Sequence, residues 1–86
     1  MNDEIRDKIL ADLSTFSHVP VGKIKDTDRL QQDLNLTHTD LVFLAMSLRA
    51  FIQHRKPSAT LKVAEIEKAG MTVADLIKLV HDKVKS

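Results

Sequence analysis

Eighty-six residues, 43% hydrophobic and 29% charged, describe a single folded domain over residues 1–86 and exclude a disordered chain. The absence of cysteine excludes a disulfide framework, a thiolate metal site and a cysteine nucleophile, and two glycines leave no room for a phosphate-cradling loop. The net charge of +1 conceals a polarity: residues 1–40 carry eight acids against five bases, and residues 41–86 four acids against eight bases.

The second half is too weakly basic to argue for nucleic acid, and three Phe without Trp or Tyr offer no stacking platform for single strands. No apolar run approaches the roughly 20 residues that a membrane-spanning helix needs. The start, Met1-Asn2-Asp3-Glu4, lacks the basic residues and apolar stretch of a secretory signal. A cytoplasmic monomer with neither membrane nor nucleic-acid partner is the expectation.

Ile5, Ile9, Leu13 and Phe16 recur at spacings of four, four and three, which predicts an amphipathic first helix. Asn2 is its expected N-cap, with Asp3 and Glu4 where the helix dipole favours negative charge. Val19-Pro20-Val21-Gly22 ends it. A polar loop of about fifteen residues follows, long for so small a domain. Ile24, Leu30 and Leu34 are the side chains that must pin it, the last two fitting a short helical turn before Asn35.

Thr37-His38-Thr39-Asp40 fits the hydroxyl-x-x-acid capping pattern, and Leu41, Leu44, Ala45, Leu48, Phe51 and Ile52 then mark one helical face. Pro57 stops this second helix, because the residue before proline is pushed out of the helical region. Val63, Ala64, Ile66 and Ala69, with Glu65 and Glu67, predict a third helix of two turns closed by Gly70. Thr72 opens the last helix, with Asp75 three residues on and a stripe of Val73, Leu76, Ile77, Val80 and Val84. The fold class is all-α: a small four-helix bundle with a long first loop and a short third helix.

This order and one motif resemble the acyl carrier protein family. Its members are small four-helix bundles with these proportions, and carry a 4′-phosphopantetheine arm on a serine at the start of the second helix. The family's motif there, Asp-Leu-Gly-x-Asp-Ser-Leu-Asp, aligns with Asp33-Leu34-Asn35-Leu36-Thr37-His38-Thr39-Asp40. Asp33, Leu34 and Asp40 match, Val42, Leu44, Met46 and Leu48 fit the helix that follows, and Thr72-Val73-Ala74-Asp75-Leu76 resembles the start of the family's last helix. In layout the likeness covers nearly the whole chain.

Two departures bear on function. His38 stands at the serine position, flanked by Thr37 and Thr39, and an imidazole cannot form the stable phosphodiester that holds the arm. No cofactor is therefore expected, 4′-phosphopantetheine being possible only on Thr37 or Thr39. Shifting the alignment by one residue would supply that threonine but lose the matches at Asp33, Leu34 and Asp40. The family also presents an acidic second helix to basic patches on its enzymes, whereas Thr37 to Lys56 holds one acid, Asp40, against Arg49, Arg55 and Lys56.

His38 has three readings: an exposed first-turn residue without chemistry, a partner contact or pH-sensitive group, or a catalytic group. No second group at useful spacing supports the last. Val42, Phe43, Met46 and Ala50 lie away from the Leu41–Leu44–Leu48 stripe. Either the short helix and first loop cover them, or they form a docking patch with Phe43 as anchor, Met46 as an adaptable contact and Arg49 beside them. The resemblance implies the second, since positions similar to Val42 and Met46 contact partner enzymes in that family.

No two of His18, His38, His54 and His81 lie three or four apart, so no metal site is expected. Asp3, Asp7 and Asp12 read as solvated carboxylates, as do Asp26, Asp28 and Asp33, which lack the glycine and closing glutamate of a calcium loop. A Ser47–His54–Asp40 triad can be written on paper, yet nothing supplies a strained nucleophile turn or an oxyanion hole, and no enzyme is expected. The bases from Lys62 to Lys85 read as a solvated face.

The expected function is an acyl-carrier-protein-like binding module in lipid, polyketide or related metabolism that meets a partner protein through Val42, Phe43, Met46 and Arg49. Two alternatives stay open: a specialised acyl carrier modified at Thr37 or Thr39, and a helical regulatory domain whose basic half binds an acidic protein.

Overall fold

Ile9, Leu13, Leu41, Leu44, Leu48, Ile52, Leu76 and Val80, all fully buried, meet in one core cluster. The computed structural model describes residues 3–85, which fold as four α-helices: α1 (Glu4–Ser17), α2 (His38–Arg55), α3 (Val63–Ile66) and α4 (Val73–Lys85). α2 packs against the other three, and α1 also packs against α4. Among the described residues no helix is long and apolar enough to cross a membrane.

α1 is capped by Asp3, whose carboxylate accepts from the Arg6 N–H at 3.0 Å; Asn2, the expected cap, lies outside the described residues. The helix ends at Ser17 because His18 turns into the left-handed region (φ 64°) and donates its N–H to the Ser14 carbonyl at 2.9 Å. Glycine is the usual residue there. Val21–Lys23 then makes a single 3₁₀ turn.

The long loop is pinned by Ile24, Leu30, Leu34 and Leu36, all buried. Leu30 opens the expected turn, closed by the Asp33 and Leu34 N–H groups, which donate to the Arg29 carbonyl at 3.0 and 3.1 Å. Backbone bonds tie the loop to the start of α4 as well. Leu30 donates to the Met71 carbonyl at 2.9 Å, Val73 to that of Asp28 at 2.9 Å and Ala74 to that of Asp26 at 3.0 Å.

α3 is one turn, not the two predicted. The Glu67 N–H closes it onto the Val63 carbonyl at 2.9 Å, and the chain then turns through Gly70 (φ 79°), with the Met71 N–H on the Lys68 carbonyl at 3.1 Å. Continuing the helix would remove the Met71 carbonyl from Leu30, and with it the bridge that holds the first loop. α4 starts as predicted: the Thr72 hydroxyl accepts from the Asp75 N–H at 3.2 Å, and the Asp75 carboxylate from the Thr72 N–H at 3.1 Å.

Candidate functional site: the first turn and outer face of α2

The first turn of α2 is set by its cap. The Thr37 hydroxyl accepts from the Asp40 N–H at 3.2 Å, and the Asp40 carboxylate accepts from the Thr37 N–H at 2.9 Å. Both side chains are thereby committed to the backbone groups that a helix start leaves unpaired. Thr39, two residues further on than Thr37, is exposed, and its hydroxyl makes no hydrogen bond with the described residues. Of the two threonines beside His38, Thr39 has the free hydroxyl.

His38 is anchored across the fold. Its Nδ1 lies 2.6 Å from Glu67 Oε2, just past α3. A carboxylate only accepts, so the ring's Nδ1–H donates and Nε2 is left for solvent. The side chain is 65% exposed, so the link adds little stability; it ties the start of α2 to the end of α3. Among the described residues, Glu67 is the side chain that holds His38.

Phe43 and Met46 are 53% and 50% exposed, while Leu44 and Ala45 between them are buried. Neither the third helix nor the first loop covers the pair. Val42 is half-buried at one edge, Arg49 is exposed on the same side, and Ala50 is exposed beyond Met46. Thr39, Phe43, Met46 and Ala50 therefore form an outward stripe at spacings of four, three and four, opposite the core side of α2. Phe51, predicted on the core face, is half-buried, with the Arg55 guanidinium 3.8 Å from its ring centroid.

The paper triad is dispersed. Asp40 and His54 are separated by fourteen residues of α2, about 21 Å along the axis. The Ser47 hydroxyl instead donates to Asp12 at 2.8 Å and accepts from Lys8 Nζ at 2.9 Å, while Lys8 also donates to Asp12 at 3.2 Å. The trio joins α1 to α2 at a half-buried seam, and sequence reasoning missed it, as it missed Glu67.

Each carboxylate of the Asp26, Asp28 and Asp33 cluster has a partner. Asp26 pairs with Arg6 at 2.7 Å, Asp28 accepts from the Lys25 N–H at 2.9 Å, and Asp33 accepts from both the Arg29 N–H and its guanidinium. That guanidinium holds the Asp33 carboxyl below the usual range, the Arg6 N–H does so for Asp3, and the Lys62 N–H followed by Lys83 for Glu65. Among the described residues no three His, Asp or Glu gather closely enough to hold a metal ion. A shallow groove of about 260 Å³ at the α3–α4 turn is lined by Lys68, Ala69, Gly70, Met71 and Asp75, and Asp75 there is committed to its cap.

Compared with protein-family models, curated proteins and solved structures, the chain finds no match.

Proposed function

We propose that this protein is a non-enzymatic binding module, built like an acyl carrier protein but without its arm, which presents the outer face of α2 to a partner protein of lipid, polyketide or related metabolism. The carrying observation is the exposure of Phe43 and Met46, side by side on a helix whose other face is fully buried. Large apolar side chains exposed side by side, unlike singly scattered ones, suit an interaction site. Support comes also from the first turn: His38 occupies the place that the resemblance gives to the serine, and the Thr37 hydroxyl is committed to the helix cap.

The test uses two baits, the natural protein and Phe43→Asp, followed by purification of the partner retained only by the first. Titration then gives the two affinities. At least about a tenfold loss with unchanged helicity is expected, because an anchor aromatic contributes the larger share of a small interface. Equal loss of folding and binding would place Phe43 in the core and end this reading.

A second reading rests on Thr39. Its exposed hydroxyl leaves room for a specialised acyl carrier in which a dedicated transferase places 4′-phosphopantetheine there, one residue from the family's position. A mass gain confined to Thr39, absent in Thr39→Ala, would establish it.

A further inference from the structure

The reading of α2 as a docking surface leaves the partner's chemistry open, and the distribution of charge around the stripe narrows it. At about 100° per residue, His38 and Arg49 fall within about 20° of one another on the helix, on the side where Val42 borders the stripe, and Lys56 follows as the C-cap residue. This is the α3 side, because His38 reaches Glu67 and the neighbouring Gln53 donates to the Ala59 carbonyl at 3.0 Å. The exposed Lys62, at the start of α3, adds a further cation on that side.

The carboxylates that touch α2 are already matched: Glu4 to Arg55, Asp12 to Lys8 and Ser47, Glu67 to His38. Asp40, the acid of α2 itself, is bound into the cap on the opposite flank. The Arg49 guanidinium makes no hydrogen bond or ion pair with the described residues. The stripe thus runs beside a short cationic rail of Arg49 and Lys56, the Arg49 guanidinium being unpaired among the described residues.

Resting on that docking reading, we infer that the outer face of α2 receives an acidic amphipathic helix of a partner protein, its apolar residues seated on Phe43 and Met46 and its Glu or Asp residues along the Arg49–Lys56 rail. A helix suits the stripe better than an extended strand. Thr39 to Ala50 spans about 17 Å, or three turns of facing helix. The described residues offer no sheet edge to extend, only an isolated bridge between Arg29 and Thr72.

A second copy fits less well. In an antiparallel pair like flanks meet, so Arg49 would face Val42 and His38 of the other copy. In a parallel pair Asp40 would stand about 13 Å away along the axis. Neither brings a carboxylate to the rail. A lipid surface asks for a broad apolar face with many basic residues, and here two large apolar side chains stand beside one rail.

The test titrates the ¹⁵N-labelled protein with three synthetic helical peptides of identical leucine stripe, flanked by glutamate, lysine or glutamine. Anionic phosphatidylglycerol vesicles make a fourth arm. The glutamate peptide is expected to shift the Val42, Phe43, Met46 and Arg49 amides and to lose affinity with added salt. Arg49→Glu should weaken it about fivefold relative to the glutamine peptide, while Phe43→Ala weakens both. Two outcomes overturn the acidic partner but keep the docking surface: equal binding of all three peptides at α2, or preference for the lysine peptide. Shifts at α2 from vesicles alone would assign the face to a lipid surface, and concentration-dependent association without peptide to a second copy. If no arm moves α2 at all, the docking reading falls with the inference.

Discussion

Thr37→Ala tests whether the first turn of α2 is built for capping. The substitution removes the hydroxyl that accepts from the Asp40 N–H at 3.2 Å and leaves the reciprocal bond, from the Thr37 N–H to the Asp40 carboxylate at 2.9 Å, in place. The orphaned N–H is at the surface, where water replaces the lost acceptor, so the cost is that of a cap, about 1 kcal/mol. For a chain of this length that lowers the melting temperature by roughly 4–8 °C. Thr39→Ala, two residues on, removes a hydroxyl with no partner and should change stability by no more than about 0.5 kcal/mol. Thermal unfolding followed by circular dichroism separates the two. Equal losses, or a neutral Thr37→Ala, would refute the assignment and free the Thr37 hydroxyl for other roles.

Leu44 is fully buried beside the exposed Phe43. Leu44→Ala should cost about 2–5 kcal/mol in denaturant unfolding, against about 0.5 kcal/mol or less for Met46→Ala; comparable values would mean that the helix is rotated from its described phase. Asp33, Asp3 and Glu65 have carboxyls held below the usual range in the folded state. Their contribution is present above the unfolded values, near pH 4, and is lost as pH falls through the folded ones. Stability should therefore decline below about pH 4, Asp33→Asn should flatten part of that decline, and an unchanged pH profile in this variant would contradict the Arg29–Asp33 pairing.

The sequence discloses what is local. Both capping boxes join residues three apart, Thr37 with Asp40 and Thr72 with Asp75, so side-chain chemistry and spacing are enough to find them. The phase of Phe43 and Met46 away from the core side is legible once Leu41, Leu44 and Leu48 define that side, but whether the third helix and first loop cover them is not, because that depends on tertiary placement. What escapes it is carried by tertiary contact. Glu67 lies 29 residues from His38, and Ser47 lies 35 from Asp12, with nothing in either neighbourhood to link them. The length of α3 is decided by the Met71 carbonyl pairing with Leu30, a backbone bond that any residue type could make. Periodicity cannot see such bonds.

The central claim is that the start of α2 serves a cap and a cross-fold anchor, with no carrier hydroxyl in the family's place. Incubation of the protein with coenzyme A and a broad-specificity phosphopantetheinyl transferase, followed by intact mass, tests it most directly. The account predicts an unchanged mass while a true acyl carrier protein in the same tube gains its arm. A gain equal to one phosphopantetheine would contradict it.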